Sequence, residues 1–370
     1  MSGVLRGFTV GITADRRWDE QASLFERRGA TIAHGPSIRT LPLGSDQPLR
    51  DATDRVIARP PQVLIANTGL GMRSWFGAAE SWGLGGALVE ALTPTRIFAR
   101  GPKASGAVHS MGLDVSGRAA GERMVEVVAM ALAELRPGDI AAVQVDGSGG
   151  SVHIDQLRRR GVEVVEVPVY EWRLPEDRRP AIRLAESVIA RRVHAVTFTT
   201  GPAVRNWLDI TAEADLDQAL LAALSSGDVV VGCVGPVTAE VAVAAGLPAD
   251  LLVVPAAWRL GPLVRAVADR LAERTVRLEV RGVPMSIAGT AVTIGGAEVT
   301  LSDIEARVLA TLAAKPNIVF TKAEILQAVW GNGDLDPHAV EVAVARLRRR
   351  LGPPGEAVAS VHRRGYALRA

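Results

Sequence analysis

Two residue patterns in this 370-residue chain could do chemistry. The first is a set of polar turns, each closing a short β-branched run: Asn67-Thr68-Gly69, Gly101-Pro102-Lys103, Asp146-Gly147-Ser148-Gly149-Gly150, Thr199-Thr200-Gly201-Pro202 and Gly235-Pro236-Val237-Thr238. Glycines, hydroxyls and the free amides of a helix start recognise anions. In open α/β sheets such turns gather at the carboxyl ends of the strands, where ligands bind. Gly149-Gly150 is only a weak phosphate-loop match, because no GxxxxGK[ST] surrounds it. The second pattern is cationic. Residues 342–370 hold seven arginines and one acid, Glu356, on a chain whose formal charge is only +2. A basic block on a near-neutral protein attracts phosphates.

Other chemistries find little support. His34, His109, His153, His194, His338 and His362 lie far apart, without metal-ligand spacing, and His109, His153 and His194, with no acidic or serine partner at a diagnostic spacing, read as ordinary surface or helix-end histidines. The single Cys233 excludes an intrachain disulfide framework and any CxxC metal site. Tyr170, one of two tyrosines, follows Pro168 in an extended segment and reads equally as a half-buried linker residue or a group that handles a proton. Trp75 and Trp82 read as core. No signal peptide opens the chain, and the apolar stretch Val229 to Pro255 is broken by Gly235, Pro236, Glu240, Pro248 and Asp250. A soluble, cytoplasmic protein without membrane contact is expected.

The elements that must hold these turns alternate strand and helix. Strand runs are Phe8–Ile12, Val63–Ala66, Arg96–Ala99, Ile140–Val145, Val162–Val167, Ala195–Thr199 and Val229–Val234. Amphipathic stretches such as Glu20–Arg28, Glu122–Leu135, Ala181–Arg192 and Thr238–Ala245 lie between them. That alternation predicts α/β architecture with parallel sheets. A duplication is visible: Val63–Met72 resembles Ala195–Val204, and Ile97–Gly112 resembles Val231–Gly246, as two similar halves facing a cleft would give. After about Arg274 the texture changes to short alternating strands, then helices at Ser302–Ala314, Thr321–Trp330 and Pro337–Leu351, then a hairpin at Val358–Leu368. On the third helix Val340, Val344, Leu347 and Leu351 form a core stripe. The other faces carry His338, Glu341, Val342, Ala345, Arg346, Arg348, Arg349 and Arg350. Small residues beside arginines suit entry into a major groove, although the same run would also solvate a helix end against its dipole.

Residues 301–370 resemble the winged-helix effector domain of response-regulator transcription factors. Leu301-Ser302-Asp303-Ile304-Glu305, Leu309, Leu312, Thr321-Lys322-Ala323-Glu324-Ile325-Leu326, Val329-Trp330-Gly331, the helix from Val340 and Gly365-Tyr366 carry the match. The resemblance implies binding to double-stranded DNA, as a homodimer or a tandem pair. Arg346 and the outward positions His338, Arg348, Arg349 and Arg350 would meet bases and phosphates. Thr321 and Lys322 would hold the backbone, and His362, Arg363 and Arg364 would enter the minor groove. The wing reads His362-Arg363 where the family has arginine–glycine. Such domains follow phosphoacceptor receivers, yet the first strand ends in Thr13-Ala14-Asp15 without paired acids, and Val63–Ala66 ends without an acceptor aspartate.

Residues 5–272 resemble uroporphyrinogen-III synthase through Gly29, Pro36, Val167-Pro168-Val169-Tyr170, Phe198-Thr199-Thr200 with Val204, Gly101-Pro102-Lys103 and Cys233-Val234-Gly235-Pro236-Val237-Thr238-Ala239. The fold implied is α/β and two-lobed, with two parallel-sheet domains joined by extended strands, followed by a winged helix-turn-helix of α+β type. The lobes would be 1–37 with 172–272, and 40–168, and the DNA-binding domain 275–370. The family closes hydroxymethylbilane, a linear tetrapyrrole rich in carboxylates, without cofactor or metal. By position, Tyr170 would assist loss of the hydroxyl group, and Thr68, Lys103, Ser105, Thr200, Gly235 and Thr238 would bind the ligand. Ala104 stands where a hydroxyl is usual, Thr200-Gly201-Pro202 replaces serine–proline, and Thr13-Ala14 replaces threonine–arginine. These departures weigh against turnover more than against binding. Three readings follow: a regulator that senses a tetrapyrrole-like or other anionic small molecule, a working synthase with a regulatory domain, or a catalytically dead dimerisation scaffold.

Overall fold

The computed structural model describes residues 3–41, 47–145, 152–331 and 336–370; the glycine-rich turn 146–150 and most of the link Gly331–Asp336 lie outside them. The chain divides into two compact units, Met1–Arg39 with Leu174–Ala370, and Thr40–Arg173.

In the unit Thr40–Arg173 the strands lie in the order Gly117–Arg118, Arg96–Ala99, Val63–Ala66, Ile140–Val145, Glu163–Pro168, all parallel. The central strand Val63-Leu64-Ile65-Ala66 is buried at every position. Such an unbroken apolar run is what a parallel strand covered on both faces requires. Leu64 and Ala66 face the core under helices Gln47–Ala58, Gly69–Ser81, Gly85–Leu92 and Pro102–His109. Val63 and Ile65 face Met124–Glu134 and Val152–Arg159. Trp75 is fully buried and donates to Thr53 Oγ1 at 2.9 Å. Trp82 packs at the core's edge beneath Arg50, whose guanidinium lies 5.7 Å from the ring.

The other unit contains a parallel sheet in the order Leu252–Val253, Val230–Cys233, Ala195–Phe198, Thr9–Ile12, Thr31–His34. The duplicated segments occupy matching places. Val63–Ala66 and Ala195–Phe198 each lie where the strand order reverses, and Arg96–Ala99 and Val230–Cys233 are each the next strand outward. The same unit continues into an antiparallel sheet, Val276–Val280, Val283–Ala288, Ala291–Ile294 and Ala297–Thr300. Helices Asp303–Ala313, Lys322–Trp330 and His338–Leu351 follow, then a hairpin of Val358–Val361 and Gly365–Leu368. Capping boxes start the first two helices, Ser302 with Glu305 and Thr321 with Glu324, which fixes their boundaries. No helix among the described residues is long and apolar enough to cross a membrane.

His194 departs from the expectation of an ordinary surface histidine. It is half-buried beside Phe8, its ring 5.3 Å from the phenyl ring and edge-on to it. Its Nδ1 accepts from the Thr9 N–H at 3.0 Å, which places the proton of the neutral ring on Nε2. Burial holds its pKa below the usual histidine range; Asp303 opposes that shift and Arg274 adds to it. The unfolded ring titrates near its ordinary value of about 6.5. Below that pH the unfolded chain takes up a proton that the folded chain refuses, so stability falls as pH drops until the folded ring also protonates. The drop in Tm on acidification through this range should be smaller in His194→Asn, whose carboxamide oxygen can still accept from Thr9. Equal drops in both proteins would show that His194 is not the responsible group.

Candidate ligand cradles and DNA-binding surface

In the unit Thr40–Arg173 the turn after Val63–Ala66 is held by a side chain that the sequence did not single out. Gln144 Oε1 accepts from the Asn67 N–H at 2.9 Å and the Thr68 N–H at 3.0 Å. Its Nε2 donates to Thr68 Oγ1 at 2.9 Å, and the same hydroxyl oxygen accepts from the Gly71 N–H at 3.0 Å, capping helix Gly69–Ser81. Asn67 Oδ1 is buried without a hydrogen-bond partner among the described residues. A Cβ on Gly69 would come within 2.2 Å of the Lys103 carbonyl oxygen, so only glycine lets this helix start lie against that of Pro102–His109. Lys103 is exposed in the first turn of that second helix and Ser105 is half-buried. Ala104 is 2% exposed and belongs to the core, so this position faces away from solvent. Tyr170 is 7% exposed, packed in the same core with its ring 6.0 Å from that of Trp172.

A parallel arrangement closes the sheet edge of the other unit. Thr200 takes the N-cap position of Gly201–Ala212, and its Oγ1 is buried without a partner among the described residues. Gly235 starts Pro236–Ala244, with the Trp258 ring lying against it, and Thr238 is 4% exposed in the first turn. Beneath these turns runs a second buried polar network. Thr13 Oγ1 donates to the Thr197 carbonyl at 2.9 Å, Gln21 Nε2 to Thr197 Oγ1 at 2.9 Å, and Thr197 Oγ1 to the Gly11 carbonyl at 3.1 Å. Gln21 Oε1 is buried without a partner among the described residues. Burial pushes the Cys233 thiol up to about 12, which keeps it protonated and poorly nucleophilic. Both cradles offer helix N-termini, hydroxyls and amide groups, a set suited to binding carboxylates. Among the described residues no three His, Cys, Asp or Glu come together as metal ligands.

The helix His338–Leu351 buries Val340, Val344, Leu347 and Leu351 and exposes Ala345, Arg346, Arg349 and Arg350. The side chains of Arg346 and Arg349 have no partner among the described residues, whereas Arg350 lies 3.9 Å from Glu305. Arg348 turns inward. Its Nε donates to the Val358 carbonyl at 2.7 Å, Nη2 donates to Ser360 Oγ at 2.9 Å, and the guanidinium lies 5.8 Å from the Tyr366 ring. It joins the helix to the hairpin. Lys322 is paired with Glu341, whose other oxygen lies 3.1 Å from His338 Nδ1. The Lys322 ammonium, with His338 second, holds the Glu341 carboxyl below its usual range, and Glu341 raises Lys322. Thr321 is committed to its capping box: its N–H and O–H donate to Glu324 at 2.7 and 2.8 Å. The wing turn His362-Arg363-Arg364 is exposed. Behind it, Phe320 and Tyr366 exchange backbone bonds at 2.8 and 2.9 Å. Gly365, at φ +137°, is required there because a Cβ would lie 1.9 Å from the Phe320 carbonyl oxygen.

Residues 19–265 match the family model described as uroporphyrinogen-III synthase HemD, about two thirds of the chain. The chain belongs to the uroporphyrinogen-III synthase family. Residues 296–368 match the model of the C-terminal domain of transcriptional regulatory proteins, so the synthase module is fused to a winged-helix DNA-binding domain of regulator type. A crystal structure of a mutant uroporphyrinogen III synthase from the extremely thermophilic bacterium Thermus thermophilus is similar at 25% identity and TM-score 0.59, covering 72% of this chain and 99% of that one. The uncharacterized protein YjjA of Bacillus subtilis is 23% identical over 279 residues, 73% of this chain and 98% of its own length. The DNA-binding domain of CpxR from E. coli is 25% identical over 25% of this chain and 96% of that domain, at TM-score 0.23.

Within the synthase module the structure brings Thr68 next to the helix start that carries Lys103, and Thr200 to the same sheet edge as Gly235 and Thr238. The residues missed are Gln144, Gln21, Thr13 and Thr197. A lone glutamine in the apolar run Ile140–Val145 is the one signal that pointed to Gln144. Gln144→Leu would leave the Asn67 and Thr68 N–H groups without their acceptor, at a cost of about 1–3 kcal/mol for each group that stays dry. Tm should fall by several degrees, measured by thermal unfolding. An unchanged Tm would mean water replaces the carboxamide and the turn is open.

Proposed function

We propose that the chain is a DNA-binding transcriptional regulator whose synthase module senses a small anionic, tetrapyrrole-like ligand in place of a phosphorylated receiver. The observation that carries this reading is the pairing of two anion cradles with a recognition helix whose Arg346 and Arg349 are exposed and unpartnered among the described residues. Three buried acceptor atoms at the cradles, Gln21 Oε1, Asn67 Oδ1 and Thr200 Oγ1, lack partners among the described residues. Buried polar groups ordinarily find partners; the pyrrole N–H groups of a tetrapyrrole-like ligand would donate to these oxygens, while its carboxylates meet the helix N-termini. Thr68, Lys103, Ser105, Thr200, Gly235 and Thr238 are the assigned ligand-binding residues. Ligand binding acts on DNA affinity through its differential affinity for two conformations of the module. The working division is 1–37 with 172–272, 40–168 and 275–370; the protein acts in the cytoplasm and binds its operator as a homodimer.

A second reading, an active synthase that closes hydroxymethylbilane, rests on Tyr170 and Thr238 standing at the family positions. Purified protein supplied with freshly generated hydroxymethylbilane should leave only the spontaneous type I isomer after oxidation and chromatography. Uroporphyrinogen III should shift its affinity for DNA. An excess of type III that disappears in Tyr170→Phe would instead make the chain an enzyme carrying a regulatory domain.

On the DNA side, Arg346, Arg349, Arg350, His338 and the wing residues His362, Arg363 and Arg364 face the duplex, with Thr321 and Lys322 at its backbone. Arg346→Ala and Arg349→Ala should each lower the log–log salt slope of binding by about one while leaving Tm unchanged. Arg348→Ala should lower Tm, because its guanidinium holds Val358 and Ser360. Salt titrations by fluorescence anisotropy separate the two outcomes. An unchanged slope in Arg346→Ala would remove that residue from the interface.

A further inference from the structure

The DNA-binding domain is not on a tether. Only 273–275 separate helix Leu260–Ala272 from strand Val276–Val280, and the middle residue is fixed: Arg274 Nη2 donates to the Gly227 carbonyl at 2.7 Å, and Nη1 to that of Asp228. The turn between Val283–Ala288 and Ala291–Ile294 docks on the first strand's approach, where the Thr290 N–H donates to the Gly7 carbonyl at 2.9 Å. Arg6 pairs with Glu298 beside it. A third tie comes from the first helix of the DNA-binding domain. Arg307 Nη1 donates at 3.1 Å to the carbonyl of Ala190, the C-cap of helix Arg179–Ile189, and its buried Nε has no partner among the described residues. A cation at the carbonyl-rich end of a helix is held by the helix dipole; the like charge of Arg191 opposes it there, and Asp303 and Asp228, the latter paired with Arg191, offset that repulsion. Helix Asp303–Ala313 in turn packs on the recognition helix in one core.

The other end of Arg179–Ile189 faces the crossing segment 174–178, where the chain leaves the second unit. Arg178 pairs there with Glu213, and Glu176 with Arg39 of the opposite crossing strand. The helix is about 16 Å long at 1.5 Å per residue, and Ala181, Leu184, Ala185 and Val188 lock it onto the sheet. We propose that this unit's parallel-sheet domain and the DNA-binding domain are one cooperative body, in which helix Arg179–Ile189 joins the crossing segment to the recognition helix through the positioning residue Arg307. The recognition helix keeps its exposed arginines throughout, so the body transmits strain without covering the DNA surface. Coupling of this kind is reciprocal: DNA held at one end alters the crossing segment at the other. The inference deepens the regulator reading and rests on it for the relay, but its first test needs neither DNA nor ligand.

Hydrogen exchange of the full chain along a denaturant series reads the cooperative unit. In wild type the amides of Ala195–Phe198 and Asp303–Ala313 should share one opening free energy. Arg307→Gln should separate them, with Asp303–Ala313 opening first, and Arg307→Lys should restore most of the shared opening because the charge at Ala190 is kept. Separate openings in wild type, or a shared one surviving in Arg307→Gln, overturns the proposal. A short mixed-sequence duplex at low ionic strength then reads the relay. DNA binding, followed by anisotropy, should slow exchange over 174–190 by about fivefold or more in wild type and not in Arg307→Gln, whose DNA affinity stays the same. Bound DNA with unchanged exchange over 174–190 in wild type overturns the relay. Failure to bind any duplex counts against the DNA-binding reading alone, since the DNA-free exchange has already tested the joint.

Discussion

A parallel sheet covered on both faces has one edge at which every strand hands over to a helix, and the rest of this molecule follows from that constraint. All strand directions agree, so the polar turns at Thr68, Lys103, Thr200 and Gly235 collect at the carboxyl edges of their own sheets, and each delivers a helix N-terminus there. The apolar strands beneath cannot satisfy the turn amides. That task falls to Gln144 in one sheet, while in the other Gln21, Thr13 and Thr197 form the polar network under the turns. The carboxamide suits it because one side chain both accepts and donates, so it can hold two amides and a hydroxyl together where a hydrophobic residue would leave them dry.

The fold was legible because its strands are buried on both faces and its helices are amphipathic. Val63–Ala66, Arg96–Ala99 and Ile140–Val145 appear with the boundaries their apolar runs suggest, and the three C-terminal helices are delimited by Ser302, Thr321 and Pro337. Less of the site could be read. Arg346, Arg348 and Arg349 are one residue type in one run, and helix phase alone leaves all three off the core stripe. Only the hairpin, which presents the Val358 carbonyl and the Tyr366 ring, turns Arg348 inward. His194 escaped for the same reason: its environment is made by Phe8 and by charges at Asp303 and Arg274, far from it in sequence. Periodicity sees neighbours along an element, and these contacts are made between elements.

Charge on the DNA-binding domain is more selective than its net value suggests. Of its cations, Arg281 is paired with Glu356, Lys322 with Glu341, and Arg350 approaches Glu305. Arg348 spends its donors on the hairpin. Among the described residues Arg346, Arg349, Arg363 and Arg364 are left free on one helix face and the wing turn, the two elements that a winged helix sets into adjacent grooves, while Arg277, Lys315 and Arg369 are exposed elsewhere on the domain. Glu341 then has a definite role: it keeps Lys322 and His338 in place at the start of the helix His338–Leu351 and lowers the local positive charge there. An acid at that position opposes nonspecific binding, which depends on phosphate neutralisation.

The place where the domains join decides what kind of regulator this architecture can be. A receiver on a flexible linker acts by changing how two copies associate, since nothing rigid connects its state to the DNA helix. Here the three residues between Ala272 and Val276 are too few to let the domains tumble apart, and Arg274 holds them to the turn at Gly227 and Asp228. Desolvation lowers the pKa of Arg274 and of Arg307, the sign of guanidiniums withdrawn from water. A half-buried guanidinium that loses its carbonyl partner leaves part of its charge uncompensated, which costs more than losing an exposed ion pair. The joint therefore resists sliding of one domain against the other.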